Sequence, residues 1–568
     1  MDRRTIIGFI LIGLIIILYP LYMERVGGGK KAPVRKPVQA DSTLRQPSEP
    51  PEQVMPAAEK PRPGTTSLVS SDSLLQETIV TVETELYSAE FSSRGAVLKS
   101  FILKKYQGPD GRNIQIVPSD APVLPLNLEF PDAGIELGQL NFQPDKEQLI
   151  LGQGVPEGTV AFTLITQSGT RLAKSYRFVD GRYDFELQFE IGGPEPANLG
   201  RKYLLDWSPG LRSTEKNRGE DLGYFAAYSM LGTEVSEMKK FSKSPEMEYE
   251  LLQEAGSGGT KWVATRSKYF VAALVPLSKE GIGFSASGTR SFTSVQGQEI
   301  ETKRIGVSLE MPVEATATLA DRFMVYVGPI NYHVLKGYGV GLDGIVNLGW
   351  KIIRPFSIAI LWLFVNLHKI IPNYGFVIIL FTVLMKFAFH PLTRKSTTAT
   401  LRMQELQPKM AQLKEKYKKD PQRLNQETMK LYKTAGVNPL GGCLPLLLQM
   451  PVFYGLFIVF RSTIELRGAQ FVFWLTDLSQ MDPYYVLPII MAVAMFWQQK
   501  ISIKDPKQAM LVYFMPVLFF FFFFRFPAGL TLYWTVFNIL SLIETYYFKR
   551  KGIHPSSLAP QPEPAKAS

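Results

Sequence analysis

The sequence predicts a polytopic α-helical membrane protein with six transmembrane helices, a large external antiparallel β-sandwich and a cytoplasmic helical hairpin. Three observations support this fold class. An uncharged apolar stretch occurs at the N-terminus, five further apolar stretches follow residue 370, short β-prone runs fill the region between them, and positive charge is concentrated in the last third of the chain. A soluble core could contain one such apolar stretch, but hardly five within about 180 residues.

The chain has 568 residues and a formal net charge of +11, and this charge is unevenly distributed. The net charge is +1 for residues 1–23, −5 for residues 24–345 and +15 for residues 346–568. A basic excess can indicate nucleic-acid binding, but Lys and Arg beside apolar spans mark the cytoplasmic side of a membrane protein. The single Cys excludes an intramolecular disulfide and a cysteine-based metal cluster. We therefore expect no cofactor, no metal and no direct nucleic-acid function.

Residues 5–23 form the first predicted element, an uncharged stretch of 19 residues that is long enough to cross a bilayer. Arg3 and Arg4 precede it, and no small-residue cleavage site follows it. An uncleaved signal anchor with a cytoplasmic N-terminus is therefore favoured over a cleaved signal peptide. Residues 24–76 are predicted to be a disordered tether, because residues 27–75 contain eight Pro and no aromatic residue.

Residues 77–344 form the predicted external domain. Alternating or β-prone runs at residues 78–82, 162–166 and 183–189, separated by Gly, Pro and Asp turns, are typical of a large antiparallel sandwich. No His and no Cys lies between Glu77 and Ile330, although acid–base catalysis near neutral pH and zinc sites mostly need them. Carboxylate pairs remain possible, but their spacing singles out no pair. We expect a scaffold or a docking surface, not an enzyme.

Residues 345–371 lead from this domain into the membrane core. They place Trp350, Lys351, Arg354 and Lys369 among apolar residues. This mixture of aromatic and basic residues with apolar ones is typical of an amphipathic helix that lies in the membrane interface.

Five further apolar stretches make up the predicted core of residues 372–548; they are residues 374–391, 444–460, 484–497, 510–524 and 528–548. Orientation follows from the segments between them. The net charge is +7 for residues 393–440, +2 for residues 500–507 and +3 for the tail from residue 548. The positive-inside rule places these segments, and both termini, in the cytoplasm.

The large cytoplasmic segment, residues 393–440, is predicted to form a helical hairpin. Apolar residues recur at intervals of three and four in its first half, at Met403, Leu406, Met410, Leu413 and Tyr417. Pro408 predicts a kink in this first arm, and Asp420-Pro421 separates it from the second. The charge of this segment either serves only topology and contact with anionic lipid, or forms a landing surface for a ribosome or an emerging chain.

Lys386 lies inside the second predicted span, five residues before Pro391, with Thr382 one turn away. At roughly 7 Å from the cytoplasmic end its side chain could extend to the interface, or it could face a water-filled pocket. Polar residues of the other spans favour the pocket; they are Gln449, Thr531, Tyr533, Thr535 and Asn538. A transporter or channel would also place a charge there, but no repeated or inverted halves are visible.

The last third carries a dense set of motifs, among them NYGF at residues 373–376, HPLT at 390–393, MQELQPK at 403–409, VNPLGGCLPLLLQMP at 437–451, FPAGL at 526–530 and LYW at 532–534. Upstream motifs include RGAVL at residues 94–98 and YVGP at 326–329. On these residues the chain resembles the YidC/Oxa/Alb family of membrane protein insertases, in its bacterial type with a large periplasmic domain. The likeness covers nearly the whole chain.

The resemblance implies an insertase and chaperone of the bacterial inner membrane that works alone or with the Sec translocon. Its implied partners are nascent membrane proteins, the ribosome and membrane lipids. It further implies a hydrophilic groove that is open to the cytoplasm and closed toward the periplasm. Lys386 matches a basic groove position where many relatives carry Arg, and Thr382, Tyr533 and Trp534 match positions that meet the incoming segment. The periplasmic domain resembles a mutarotase-like sandwich that has lost catalysis.

Overall fold

The computed structural model describes residues 76–550, except residues 119–122, 153, 194–198, 244–248, 296–297, 315–317, 419, 437–443 and 503–508. The predicted first span, most of the predicted tether and the tail beyond residue 550 therefore lie outside the described residues. The described chain divides into two compact units, with the boundary between Val346 and Asn347. Each unit is described separately below.

The first unit consists mainly of β-strands, as the alternating sequence predicts. Its strands are β1 (Ile79–Glu83), β2 (Tyr87–Ser92), β3 (Val97–Gln107), β4 (Asn113–Gln115), β5 (Asn127–Phe130), β6 (Ile135–Glu136), β7 (Gln143–Pro144), β8 (Gln148–Ile150), β9 (Glu157–Ile165), β10 (Arg171–Val179), β11 (Asp184–Gly192), β12 (Lys202–Trp207), β13 (Ala226–Leu231), β14 (Glu234–Met238), β15 (Ser242–Lys243), β16 (Glu250–Arg266), β17 (Phe270–Pro276), β18 (Gly281–Val295), β19 (Gln298–Pro312) and β20 (Thr318–Pro329). Two short helices, α1 (Arg218–Gly223) and α2 (Tyr332–Gly337), accompany them.

These strands form two sheets. The smaller sheet has the order β4-β3-β2-β1-β8, and its β1–β8 pair is parallel. The larger sheet has the order β6-β5-β12-β19-β18-β16-β17-β20-β11-β10-β9-β7, with β13 to β15 attached beside β16. Its strand pairs are antiparallel wherever the structure describes them; for example, β11 pairs with β20 over nine residues from Asp184–Tyr326 to Gly192–Thr318. The predicted antiparallel β-domain is therefore confirmed.

The core of this unit lies between the two sheets and is rich in aromatic residues. Phe91 on β2 of the smaller sheet has its ring centroid 4.5 Å from Tyr176 on β10 and 6.1 Å from Phe185 on β11 of the larger sheet. All three side chains are buried. Tilted and edge-on ring pairs of this kind add to the stabilisation from burying their large apolar area. The two sheets are thus packed face to face, as in a sandwich.

One buried lysine joins the two sheets through backbone carbonyls. Lys174 on β10 is fully buried, and its Nζ donates to the carbonyl oxygen of Gly95 at 2.8 Å and of Leu126 at 2.9 Å. Gly95 precedes β3 of the smaller sheet, and Leu126 precedes β5 of the larger one. Burial lowers the pKa of Lys174 to about 7. Nζ also lies 3.4 Å from the carbonyl oxygen of Ala96, and the two hydrogens of a neutral amine are enough for the two shorter of these three bonds, so the chain buries this group at a reduced charging cost.

The second unit is helical. Its helices are α3 (Arg354–His368), α4 (Tyr374–Glu405), α5 (Gln407–Lys416), α6 (Pro421–Thr434), α7 (Leu444–Ser462), α8 (Val486–Ser502), α9 (Ala509–Phe523) and α10 (Ala528–Arg550). Each of the five apolar stretches predicted after residue 370 forms a helix. Among the described residues, one helical segment, Tyr374–Pro391, is long and apolar enough to cross a membrane, and Val486–Ile501 and Val512–Phe523 are shorter apolar helices.

Helix α3 lies within the predicted interfacial segment but begins later than expected, at Arg354. One face of α3 is buried, and the ring of Phe364 lies 5.2 Å from Phe381 on α4 and 5.7 Å from Phe460 on α7. The side chain of Trp362, next to this face, is exposed. The buried face of α3 packs on the helical core, and its exposed side carries the apolar residues Phe356 and Trp362, so the interfacial amphipathic helix stays a prediction.

The helical hairpin differs in detail from the prediction. Helix α4 continues through Pro391 to Glu405, so Met403 belongs to α4 and not to a separate first arm. The chain breaks before α5, and Pro408 lies in the first turn of that helix, where its missing N–H costs nothing. Helix α6 begins at Pro421 after Asp420, whose Oδ1 accepts from the Arg423 N–H at 3.0 Å. The expected kink at Pro408 is thus a helix start.

Replacing Lys174 with Met should destabilise the β-unit. The carbonyls of Gly95 and Leu126 would lose their donor inside the core, so we expect the free energy of unfolding to fall by about 2 kcal/mol. Because the folded-state pKa of Lys174 is about 7 and its ordinary value is 10.5, the unfolded chain binds more protons between these values. Stability should therefore rise with pH across that window in the native protein, and this rise should be lost in Lys174→Met. Urea unfolding of the full-length protein, followed by tryptophan fluorescence at several pH values, measures both effects.

Lys105→Met provides the control, because Lys105 is an exposed lysine that forms a surface ion pair with Glu85. It should change stability by less than about 1 kcal/mol. An identical pH slope in native protein and Lys174→Met would contradict the assignment of this titration to Lys174.

Candidate functional site

Lys386 on α4 is directed toward α10. Its Nζ lies 2.8 Å from Glu544 Oε2 and 2.7 Å from Ser541 Oγ, and 4.8 Å from the ring centre of Phe537. These three partners lie on α10 at intervals of four and three residues, on one face of that helix. The Lys386 and Glu544 side chains are 15% and 20% exposed. The ammonium group therefore contacts protein on several sides and is held by a counter-ion.

His390 extends this cluster. It lies one turn after Lys386 on α4, and its Nδ1 is 3.4 Å from Glu544 Oε1. The Glu544 carboxylate is thus placed between two nitrogen groups of α4. The cluster has the composition of an ion pair and not of a metal site, and across the described part of the chain no group of three or more His, Cys, Asp or Glu side chains could hold a metal ion.

Glu544 was not among the predicted site residues, although the sequence contains a signal for it. Lys386 and Glu544 are the only Lys, Arg, Asp or Glu residues in the five apolar stretches after residue 370. Two opposite charges inside apolar spans are strongly favoured to pair, since an isolated charge there is costly. The pairing was therefore predictable from a simple count of charges.

A second polar contact joins α7 to α10. Gln449 Nε2 donates to the hydroxyl oxygen of Tyr533 at 2.8 Å, and both side chains are buried. Phe381 on α4 has its ring 6.0 Å from that of Tyr533. Thr382 is buried and donates to the carbonyl oxygen of Ile378 in its own helix at 2.7 Å. Helices α4, α7 and α10 therefore surround this buried polar group.

The remaining predicted residues lie on other sides of α10. Asn538 is buried and its Nδ2 donates to the carbonyl oxygen of Trp534 at 2.7 Å. The Trp534 ring packs on Phe523 of α9 at 5.6 Å and on Phe453 of α7 at 5.4 Å, and its Nε1 has no hydrogen-bond partner among the described residues. Tyr533 and Ser541 are about 12 Å apart along the helix. Tyr533, Ser541 and Glu544 thus form a mostly buried polar strip along one face of α10, with the contact to Lys386 at one end, whereas Trp534 and Asn538 lie on other sides of this helix.

The other end of α10 is closed by the segment between α7 and α8. Asp482 in this segment is buried, and its carboxylate accepts from the backbone N–H of Leu487 at 2.7 Å and from Trp474 Nε1 at 3.0 Å. The bond from the Leu487 N–H caps the N-terminus of α8. The Ala528 N–H donates to the carbonyl oxygen of Gln480 at 2.6 Å, so the same segment also holds the start of α10. The polar strip therefore has a firmly bonded end opposite Lys386.

The comparisons with known proteins cover nearly all of the chain. Residues 366–555 match the family described as "60Kd inner membrane protein", and residues 79–362 match the family described as "YidC periplasmic domain". "Membrane protein insertase YidC" of Syntrophus aciditrophicus is 32% identical over 97% of this chain and 100% of that protein. The protein of the same name from Prosthecochloris aestuarii is 35% identical over 97% of this chain and 95% of that protein.

Two solved structures are also similar to the chain. One is described as an active YidC insertase crystal structure with the first transmembrane domain resolved; it has 20% identity, covers 85% of this chain and 94% of that chain, and gives a TM-score of 0.37. The other is a galactose mutarotase-like protein from Lactobacillus casei, with 12% identity over 44% of this chain and 99% of that chain, and a TM-score of 0.26. At these TM-scores neither likeness decides a fold.

The Gln449–Tyr533 hydrogen bond should be measurable by a double-mutant cycle. Tyr533→Phe removes the acceptor and leaves the buried amide of Gln449 unsatisfied, so we expect thermal unfolding in detergent to shift by the equivalent of about 1 kcal/mol. Gln449→Leu removes the other partner, and the double variant should cost less than the sum of the two single changes. Strict additivity would show that the two side chains do not interact.

Proposed function

The chain belongs to the YidC family of membrane protein insertases, and from that premise we propose that it inserts integral membrane proteins into the inner membrane and helps them fold. The observation that carries the proposal is the placement of the charged group Lys386 at one end of a strip of polar side chains within a set of apolar helices. Such a strip has no role in simple anchoring, because burying polar groups among apolar helices is unfavourable.

We place the substrate groove on α4, α7 and α10. Its predicted residues are Lys386, Thr382, Gln449, Tyr533, Trp534 and Asn538. Thr382, Gln449, Tyr533 and Asn538 now bond to one another or to backbone carbonyls, and Lys386 bonds to Ser541 and Glu544. When the helices separate, the same groups become available to a polar flank of an incoming segment, which shortens the apolar barrier that the flank must cross. The bonds that Asp482 and Gln480 make to the starts of α8 and α10 support closure on the periplasmic side.

The driving force in this mechanism is burial of the substrate itself. Lys386 attracts acidic groups of the flank into the groove, and the apolar segment leaves sideways into lipid at a gain of about 25 cal/mol per Å² buried. No nucleotide is needed, and the sequence contains no Gly-x-x-x-x-Gly-Lys-Ser/Thr loop. Lys supplies charge without the rigid fork of Arg, so the attraction does not depend on two parallel hydrogen bonds.

The proposed topology has six spans, with both termini in the cytoplasm and the β-unit in the periplasm. The positively charged segments at residues 393–440 and 500–507 support this orientation. Helices α5 and α6 would then form the cytoplasmic hairpin, whose exposed basic residues suit a ribosome, a nascent chain or anionic lipid. The Sec translocon is a further proposed partner for some substrates.

We propose that the periplasmic unit is a scaffold or docking surface. The lack of His and Cys between Glu77 and Ile330 supports this over catalysis. Its buried lysine, Lys174, bonds only backbone carbonyls inside the core, where no substrate reaches it.

Lys386→Ala should reduce insertion of substrates with acidic flanks, and Lys386→Glu should reduce it further because like charges repel. We expect a loss of about tenfold for Lys386→Ala, equivalent to one charge-assisted contact, and little change for a substrate with a neutral flank. Insertion into vesicles containing the purified protein, measured by protease protection, gives the result.

Lys105→Ala on the β-unit is the matched loss of an exposed lysine. Unchanged insertion of every substrate by both Lys386 variants would refute a role for this charge, and transport of a small solute without insertion would favour a transporter.

Photo-crosslinkers at Thr382, Tyr533 and Trp534 should capture nascent membrane segments. All three positions are buried in the resting protein, so a crosslink requires the groove to open for the substrate. A crosslinker at Phe521, an exposed residue of α9, is the control for chance contact with lipid-embedded chains. Equal or stronger crosslinking at Phe521 than at all three groove positions would contradict the groove.

A further inference from the structure

Glu544 is the one carboxylate in the apolar core stretches, and it occupies the position where a substrate carboxylate would bind Lys386. It is the nearest anion to this ammonium group, at 2.8 Å, and both side chains are mostly shielded from water. We infer that Glu544 is an internal competitor for acidic substrate flanks, which must displace it from Lys386 before they bind. This inference rests on the proposed function of Lys386.

The cluster contains what such an exchange needs. An unpaired charge among apolar helices is costly. If a substrate displaced Glu544 and left its carboxylate without a partner, that cost would offset the free energy gained when the substrate binds Lys386. His390 Nδ1 lies 3.4 Å from the other Glu544 oxygen, and the His390 side chain is 47% exposed. Glu544 can therefore keep one partner, and turn toward the water near His390, while Lys386 changes its partner.

This exchange of partners determines which substrates bind Lys386 with a net gain in free energy. A single substrate carboxylate replaces one ion pair with another of the same kind, so its net advantage is small. A flank with two or more acidic groups brings more negative charge to Lys386 than Glu544 does. A neutral flank has no anion that could take the place of Glu544. Glu544 thus sets a threshold: it makes insertion depend on the number of acidic residues in the flank, and it keeps the cation from holding other anions while no substrate is present.

The alternative is that the ion pair only holds α4 against α10. The two roles make different predictions. A purely structural pair affects the amount and stability of folded protein, and all substrates equally. A competing carboxylate affects substrates according to their acidity, even where protein stability is unchanged.

The test uses full-length protein in vesicles and three reporter segments that differ only in having no, one or two acidic residues in the translocated flank. Glu544→Gln should raise insertion of the one-acid reporter by about fivefold, the size expected for removal of a partly screened ion pair. Insertion of the two-acid reporter should change less, so the one-acid and two-acid reporters should then insert almost equally well. Glu85→Gln, which removes an exposed carboxylate paired with Lys105 in the β-unit, should leave all three unchanged.

Lys386→Ala separates this inference from the proposed function. If Lys386→Ala impairs the acidic reporters while Glu544→Gln leaves their ranking as in the native protein, the competitor role is wrong and the proposed function stands. If Lys386→Ala affects no reporter, the proposed function itself fails.

The reversed pair, Lys386→Glu with Glu544→Lys, retains an ion pair between α4 and α10. It therefore provides a second test if Glu544→Gln does not fold. The threshold model predicts that the reversed protein loses its preference for acidic flanks, since the displaceable group is now a cation, and favours a reporter with two basic residues. Native-like preference for acidic flanks in the reversed protein would overturn the inference.

Discussion

The helical unit depends on one electrostatic constraint: a charge among apolar helices must have a partner. Lys386 and Glu544 come from opposite ends of the core sequence, and their 2.8 Å contact fixes the rotation of α4 relative to α10. With that rotation set, Tyr533 faces Phe381 on one side and receives the Gln449 hydrogen bond from α7 on the other. The polar strip is therefore positioned by its charged end, and the rest of its contacts follow from helix periodicity.

The two units treat a buried lysine in opposite ways. Lys174 lies among carbonyl oxygens without a carboxylate, and burial brings its pKa to about 7, so neutralisation limits the cost. Lys386 has a carboxylate at contact distance and stays an ion pair. The first arrangement suits a static link between sheets, because nothing needs to exchange there. The second holds the lysine against a carboxylate that another anion could replace, which suits the substrate-binding role proposed for Lys386.

Much of the fold was predictable because periodicity and charge are local properties. The alternation at residues 183–189 predicted strand β11, and the apolar stretches predicted the start of α4 and the bounds of α7 to α10 within about five residues. The continuation of α4 through Pro391 was not predictable, because a proline's effect depends on whether the preceding turn can adjust. Lys386, Thr382, Gln449 and Tyr533 were named from their positions in apolar spans. The Lys386–Glu544 ion pair and the Gln449–Tyr533 hydrogen bond join segments that are far apart in the sequence, so neither could be predicted from one span considered by itself.

The unbroken course of α4 has a mechanical consequence. A helix of 32 residues is about 48 Å long, well beyond the roughly 30 Å of a hydrocarbon core. Lys386 lies near its middle, and the far end leads directly into α5. A small tilt of this helix at the end beside α5 would move the Lys386 ammonium group relative to α10 without unfolding any turn. In the proposed mechanism, a partner docked on the hairpin would therefore stretch the Lys386–Glu544 contact through a rigid-body movement of α4.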